Sequence, residues 1–103
     1  MKLKQILNKY IRFLYAHKEH SGGVSTFLQK LNEMKLLLNQ SENITAKEIL
    51  KLYGGMGSIN DLVFHTKGKT KDYENKITEK YYELNEELYQ KCKEIINKKL
   101  KAT

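Results

Sequence analysis

The stretch whose residue types most suggest chemistry runs from Gly54 to Asp61. Three of the chain's six glycines lie there, at positions 54, 55 and 57. A glycine-rich loop that leads into a helix points several backbone N–H groups at one spot, which suits an anion. The run has neither the GxGxxG spacing of a dinucleotide site nor the GK(S/T) of a P-loop. The alternative is a tight corner, in which glycine lets two helices cross closely and Met56 fills a gap in the core.

Three polar side chains follow the glycines and extend this candidate site. Ser58 is placed to cap a helix, and Asp61 would lie in the first turn, where negative charge is favoured. Asn60 and Asp61 either cap neighbouring backbone or present their groups to a partner. The candidate binding corner therefore comprises Gly54, Gly55, Met56, Gly57, Ser58, Asn60 and Asp61.

The histidines and the single cysteine give weaker signals. His17 and His20 lie three residues apart, a spacing that can share a metal ion; His65 or Cys92 would be further ligands, but nothing in the sequence brings them together. A histidine near a helix C-terminus is favoured by the helix dipole alone. Cys92 falls on an apolar stripe, where a small buried residue is the ordinary interpretation. We therefore expect no metal, no cofactor and no catalytic group.

The net charge of +7 favours nucleic acid, an anionic membrane surface or an acidic protein as a partner, of which we expect no membrane. Lys67, Lys69 and Lys71 form a basic loop, yet Arg12 is the only arginine, and arginine is the usual reader of bases and phosphates. On the last predicted helix, glutamates alternate with lysines at i,i+4 spacing, which is typical of a solvated, self-paired face. The predicted pairs are Glu87–Lys91 and Glu94–Lys98.

Apolar residues at three- and four-residue spacings predict the elements that position these groups. Helices are expected over residues 2–18, 26–39, 46–53 and 72–100, with a short helical segment over residues 59–64. Thr26 and Thr45 each begin a capping box, and Ile44 would pack on Ile49 as a hydrophobic staple. Gly54 suits the left-handed residue that follows a helix.

The last predicted helix would be ~40 Å long, which exceeds the ~26 Å diameter of a 100-residue domain. Its end should project, fray or pack on another chain, so a homo-oligomer through this helix is one expectation. Tyr15, Tyr82 and Tyr89 are expected to be exposed and, with the basic loop, form a candidate interface. Tyrosine suits protein interfaces because it supplies contact area at low entropic cost.

A chain of 103 residues without proline predicts one all-α domain over residues 1–103. We expect a small bundle of four to five helices with a long C-terminal helix and a glycine-rich corner. The N-terminus lacks the apolar segment of a signal peptide, and no apolar run approaches the ~20 residues that span a membrane. A single cysteine excludes an internal disulfide framework. These features predict a cytoplasmic protein.

The run from Tyr53 to Val63 contains GGMGS, a bulky apolar residue and then NDLV. It resembles the motif of a family of small bacterial proteins of uncharacterised function. The resemblance implies a mostly helical bacterial protein whose defining element is Gly54 to Asp61, and it implies no activity. Small single-domain proteins of this kind often serve as immunity proteins or antitoxins.

Three functional hypotheses follow. The first is a non-enzymatic cytosolic module that binds another protein, such as an immunity or antitoxin-like factor whose partner is a toxin. The second is a protein that binds nucleic acid or an anionic ligand through its basic surface and its glycine-rich helix start. The third is an enzyme acting at Asn60, Asp61 and His65.

Overall fold

The computed structural model describes residues 1–54 and 58–102, without the side chains of residues 99–102. The all-α prediction is confirmed, since the described ranges contain helices and connecting turns and no strand. Over these ranges the α-helices are α1 (Leu3–Ala16), α2 (Val24–Leu38), α3 (Glu42–Leu50) and α4 (Lys71–Ala102). The same ranges contain two single 3₁₀ turns, Lys18–His20 and Ile59–Asp61.

Each helix packs against the next along the chain, and α4 also packs against α1, which closes a four-helix arrangement. The core is formed by the predicted apolar stripes, and burying one such side chain stabilises the fold by roughly 1.5–3 kcal/mol. Core residues with no exposed surface include Leu3, Leu7, Tyr10 and Leu14 of α1 and Tyr81, Leu88 and Cys92 of α4.

The length of α4 sets the long dimension of the molecule. This helix has 32 residues, which corresponds to ~48 Å, and the molecule measures 53 × 26 × 21 Å. The chain's own helices cover its apolar stripe as far as Ile95. No helix among the described residues combines the length and the apolar character needed to cross a bilayer.

The start of α2 differs from the prediction. The helix begins at Val24, and Gly23 rather than a threonine precedes it. Val24 is fully buried, whereas Thr26 is exposed. The predicted capping box at Thr26 is therefore wrong, because starting the helix earlier places an apolar side chain in the core on the same face as Phe27.

The start of α3 also lies earlier than predicted, at Glu42. The Ser41 hydroxyl accepts a hydrogen bond from the Ile44 N–H at 3.2 Å, so Ser41 is the N-cap. Thr45 is fully buried, and its hydroxyl donates to the Ser41 carbonyl at 2.6 Å. The predicted Thr45 cap is therefore wrong. The predicted staple is also wrong, because Ile44 is 52% exposed.

Candidate binding groove

The corner begins with a glycine in the left-handed conformation. Beyond the end of α3 at Leu50, two further turns lead to Gly54, whose φ is +91°. This confirms the predicted backbone conformation of Gly54. An added Cβ there would meet no atom within 4 Å. The backbone angle requires glycine, and a close crossing of helices at this residue is not observed.

Hydrogen bonds from both sides join the two ends of the corner. The Asn60 side-chain oxygen accepts from the Gly54 N–H at 3.3 Å and from the Ser58 hydroxyl. The Ile59 N–H donates to the Leu52 carbonyl at 2.8 Å. Asn60 therefore caps neighbouring backbone, one of its two predicted roles. Three predicted binding residues lie outside the described residues: Gly55, Met56 and Gly57.

The corner is fastened to α4 by Tyr81, which is fully buried. Its hydroxyl accepts from the Leu62 N–H at 2.9 Å and donates to the Ile59 carbonyl. These backbone groups therefore bond to a side chain of α4 rather than continue a helix. The predicted helical segment over residues 59–64 is wrong, since only the 3₁₀ turn Ile59–Asp61 forms. An anion site at the corner would need the N-terminus of a helix. The helical element observed there is a single 3₁₀ turn.

An open groove of about 730 Å³ lies between this corner and α4. The end of α3 and the corner supply one wall, and one face of α4 supplies the other. Its volume falls within the roughly 300–1,000 Å³ of typical ligand sites. The lining residues are Leu50, Tyr53, Gly54, Asn60, Tyr82, Asn85, Glu86, Tyr89 and Lys93.

Three tyrosines give the groove its aromatic character. Tyr53 and Tyr89 meet edge to face with ring centroids 5.3 Å apart, an arrangement that stabilises aromatic pairs. The Tyr53 hydroxyl also donates to the Asn85 carbonyl at 3.0 Å, and burial raises the pKa of Tyr53. Tyr82 is 59% exposed, and the centroid of its ring lies 5.4 Å from the ring centroid of Tyr81. Two tyrosines are therefore held in place, and the third is open to a partner.

Asn85 lines the same groove and is only 6% exposed. Its side-chain oxygen accepts from the Tyr10 hydroxyl at 2.5 Å, which ties α1 to α4. Burial raises the pKa of Tyr81, and the Asn85 side chain opposes this rise. The buried amide nitrogen of Asn85 reaches hydrogen-bond geometry with none of the described residues. The sequence analysis missed Asn85, although a polar residue between Leu84 and Leu88 on an apolar stripe was a usable signal.

The structure brings together part of the predicted site. Four predicted residues line the groove: Gly54, Asn60, Tyr82 and Tyr89. Ser58 is buried beside Asn60, and Asp61 is exposed. Five residues that line the groove were not predicted as site residues, and they include Tyr53, Glu86 and Lys93. Glu86 is one of the glutamates on the last helix, whose pattern predicts a solvated, self-paired face.

The rest of the predicted interface lies away from the groove. Tyr15 is 63% exposed, and the ammonium of Lys18 lies 4.4 Å from its ring centroid. Lys67, Lys69 and Lys71 are exposed. Lys71 pairs with a carboxylate oxygen of Glu74 at 3.2 Å. Of the predicted interface residues, Tyr82 and Tyr89 line the groove and the other four do not.

The three histidines lie near one another, since the His65 N–H donates to the His20 carbonyl at 2.8 Å. The rings of His17 and His20 stack with centroids 5.5 Å apart, and burial, followed by the charge of His20, lowers the pKa of His17. Within residues 1–54 and 58–102, no three or more His, Cys, Asp or Glu side chains form a group able to hold a metal ion. Cys92 is fully buried, which raises the pKa of its thiol to about 12. A thiol with this pKa is a poor nucleophile at neutral pH.

The profile of one protein family, described as Domain of unknown function (DUF6966), matches residues 20–72. The chain belongs to this family. The DUF6966 segment contains α2, α3 and the corner, so it supplies one wall of the groove, while the wall from α4 lies outside it. No curated protein and no solved structure matches the chain.

Proposed function

We propose that the protein is a non-enzymatic module that binds another protein through the groove between the corner and α4. The observation that carries this proposal is the exposed ring of Tyr82 beside the fixed Tyr53–Tyr89 pair. Tyrosine is enriched at protein interfaces, where it anchors contacts. Because the surrounding groups are already held by hydrogen bonds, little further ordering is needed on binding.

The hydroxyl groups around the groove support binding rather than proton transfer. Burial raises the pKa values of Tyr53 and Tyr81, so both phenols stay protonated at neutral pH. Each is engaged with backbone groups, Tyr53 with Asn85 and Tyr81 with the corner. They therefore hold the shape of the groove.

A capture experiment with matched variants tests the proposal. The immobilised full chain is exposed to an extract of the organism that carries the gene, and retained proteins are quantified by mass spectrometry. Tyr82→Ala removes the exposed ring inside the groove, and Tyr15→Ala removes a similarly exposed ring outside it. We expect a partner that wild type and Tyr15→Ala retain equally and that Tyr82→Ala loses about tenfold or more. Equal retention by Tyr82→Ala would contradict the proposal.

The alternative partner, nucleic acid, is motivated by the net charge of +7. The predicted ion pair Glu94–Lys98 is present at 3.2 Å. The predicted pair Glu87–Lys91 is replaced, since Glu87 lies 3.7 Å from Lys9 and Lys91 pairs with Glu94. Carboxylates thus neutralise part of the basic surface. Nucleic-acid binding would weaken steeply with salt.

An immunity or antitoxin-like role in a bacterial cytoplasm is the specific form of this proposal that the sequence resemblance suggests. The partner would then be a toxin, and its gene would be expected next to this one. Co-expression should rescue growth of cells that carry the toxin, and Tyr82→Ala should reduce the rescue while Tyr15→Ala should not. Association of two copies through α4 would be tested by sedimentation of the purified chain.

A further inference from the structure

We infer that the groove receives an arginine side chain of the partner protein, with its guanidinium against Glu86 and the rings of Tyr82 and Tyr89. The inference rests on the proposed function, because it states the chemistry by which that partner is recognised. It draws on three features of the described residues: the spacing along α4, the absence of an ion pair at Glu86 and the position of Lys93.

Tyr82, Glu86 and Tyr89 follow one another at four- and three-residue steps, which places them on one face of α4. Along the helix axis, the carboxylate side chain begins ~6 Å from one tyrosine and ~4.5 Å from the other. A cation interacts with an aromatic face when it lies within about 6 Å of the ring centroid. A guanidinium that pairs with Glu86 is therefore within reach of both rings.

Glu86 differs from most acidic residues of α4 in having no cationic partner. Five acidic residues of this helix lie within 3.7 Å of a lysine nitrogen: Asp72, Glu74, Glu83, Glu87 and Glu94. Within the described ranges, Glu86 makes no ion pair and accepts one hydrogen bond, from the Gln90 side chain at 2.8 Å. A carboxylate has about four acceptor positions. Glu86 therefore keeps acceptor capacity for a cation from outside, in a chain of net charge +7.

Lys93 places a cation beside one of the two rings, that of Tyr89. Its ammonium lies 5.7 Å from the centroid of Tyr89, at the end of the groove. An ammonium at this point repels a second cation, so it weakens the binding of a guanidinium nearby. Arginine fits the site better than lysine because its planar group stacks on a ring while it bonds a carboxylate through two N–H groups.

The test uses small probes with the full-length protein. N-acetyl-argininamide is titrated into isotopically labelled protein, and amide chemical shifts report where and how tightly it binds. N-acetyl-citrullinamide has the same shape without the charge, and N-acetyl-lysinamide has the charge without a planar guanidinium group. We expect saturable shifts around residues 82–89 with the arginine probe, weaker binding of the lysine probe and no saturable binding of the citrulline probe.

Three variants assign the binding to named groups. Glu86→Gln should weaken the arginine probe about fivefold. Glu79→Gln is the matched control, since it changes the net charge equally, lies one heptad earlier on α4, has no ion pair among the described residues and does not line the groove. It should leave the affinity unchanged. Lys93→Gln should tighten binding about two- to fivefold, because it removes the neighbouring cation.

Equal affinity in Glu86→Gln and Glu79→Gln, equal binding of the citrulline probe, or no saturable binding in wild type would each overturn the inference. These outcomes separate it from the proposed function. If capture of a partner depends on Tyr82 but the arginine probe does not bind, the groove is an interface and the inference about arginine fails. If the probe binds at Glu86 but no partner depends on Tyr82, the proposed function fails instead.

Discussion

Gly54→Ala tests whether the backbone angle of the corner requires glycine. An L-residue in the left-handed region costs about 1–2 kcal/mol, and Gly54 has φ of +91°. An added methyl group meets no atom within 4 Å, so no steric clash contributes. Alanine also lowers the conformational entropy of the unfolded chain, which stabilises the folded protein by about 0.4–1 kcal/mol. The expected net loss is therefore about 1 kcal/mol, which lowers Tm by about 4–8 °C in a domain of this size.

Gly22→Ala is the control that isolates this cost. Gly22 also has no atom within 4 Å of an added Cβ, but its φ is not in the left-handed region. The effect on the unfolded chain is common to both variants. The difference between their free energies of unfolding therefore measures the cost of the left-handed backbone angle alone. In urea unfolding, the free energy of unfolding of Gly54→Ala should be about 1–2 kcal/mol lower than that of Gly22→Ala, with unchanged m-values. Equal stability of the two variants would refute the reasoning.

Three further predictions concern the anchors of the fold. Tyr81→Phe removes the hydroxyl that bonds two backbone groups of the corner and should cost about 1–3 kcal/mol in urea unfolding, whereas Tyr82→Phe should leave the stability unchanged. Cys92 should not react with a thiol reagent at pH 8 until the protein is unfolded, since burial raises its pKa to about 12; rapid reaction of the folded protein would contradict its placement. The pKa of Glu74 is lowered from 4.5 by the hydrogen bond from the Thr66 N–H and, to a smaller extent, by Lys71. The ionised carboxylate therefore stabilises the fold fully above pH 4.5, and this stabilisation is lost as the pH falls through the pKa of Glu74 in the folded protein. Glu74→Gln should flatten this part of the acid unfolding profile, and an unchanged profile would contradict the assignment.

The fold was largely predictable because apolar periodicity determines which face of each helix is buried. Leu3, Leu7, Tyr10 and Leu14 repeat at helical spacing and all lie in the core. The helix starts were less predictable because two capping signals compete within a few residues. At α3, both Ser41 and Thr45 can cap, and the choice depends on whether Thr45 is buried, which is decided by tertiary packing.

The groove was predictable only in part because its two walls are far apart in the sequence. The glycine run indicated a turn, and the tyrosine pattern indicated an exposed face, but no local signal places Tyr53 against Tyr89. The segment after the corner looked helical because Ser58 and Asp61 have the chemistry of a helix start. The hydroxyl of Tyr81, more than 15 residues away, overrides that preference by bonding the backbone.

The most direct test of the central claim, that the groove is a protein-binding surface, is site-specific photo-crosslinking in living cells. A photoreactive phenylalanine analogue replaces Tyr82 in one strain and Tyr15 in another, two positions with 59% and 63% exposure. We predict one discrete protein crosslinked from position 82 and none from position 15. The same crosslinked proteins from both positions, or none from position 82, would contradict the account.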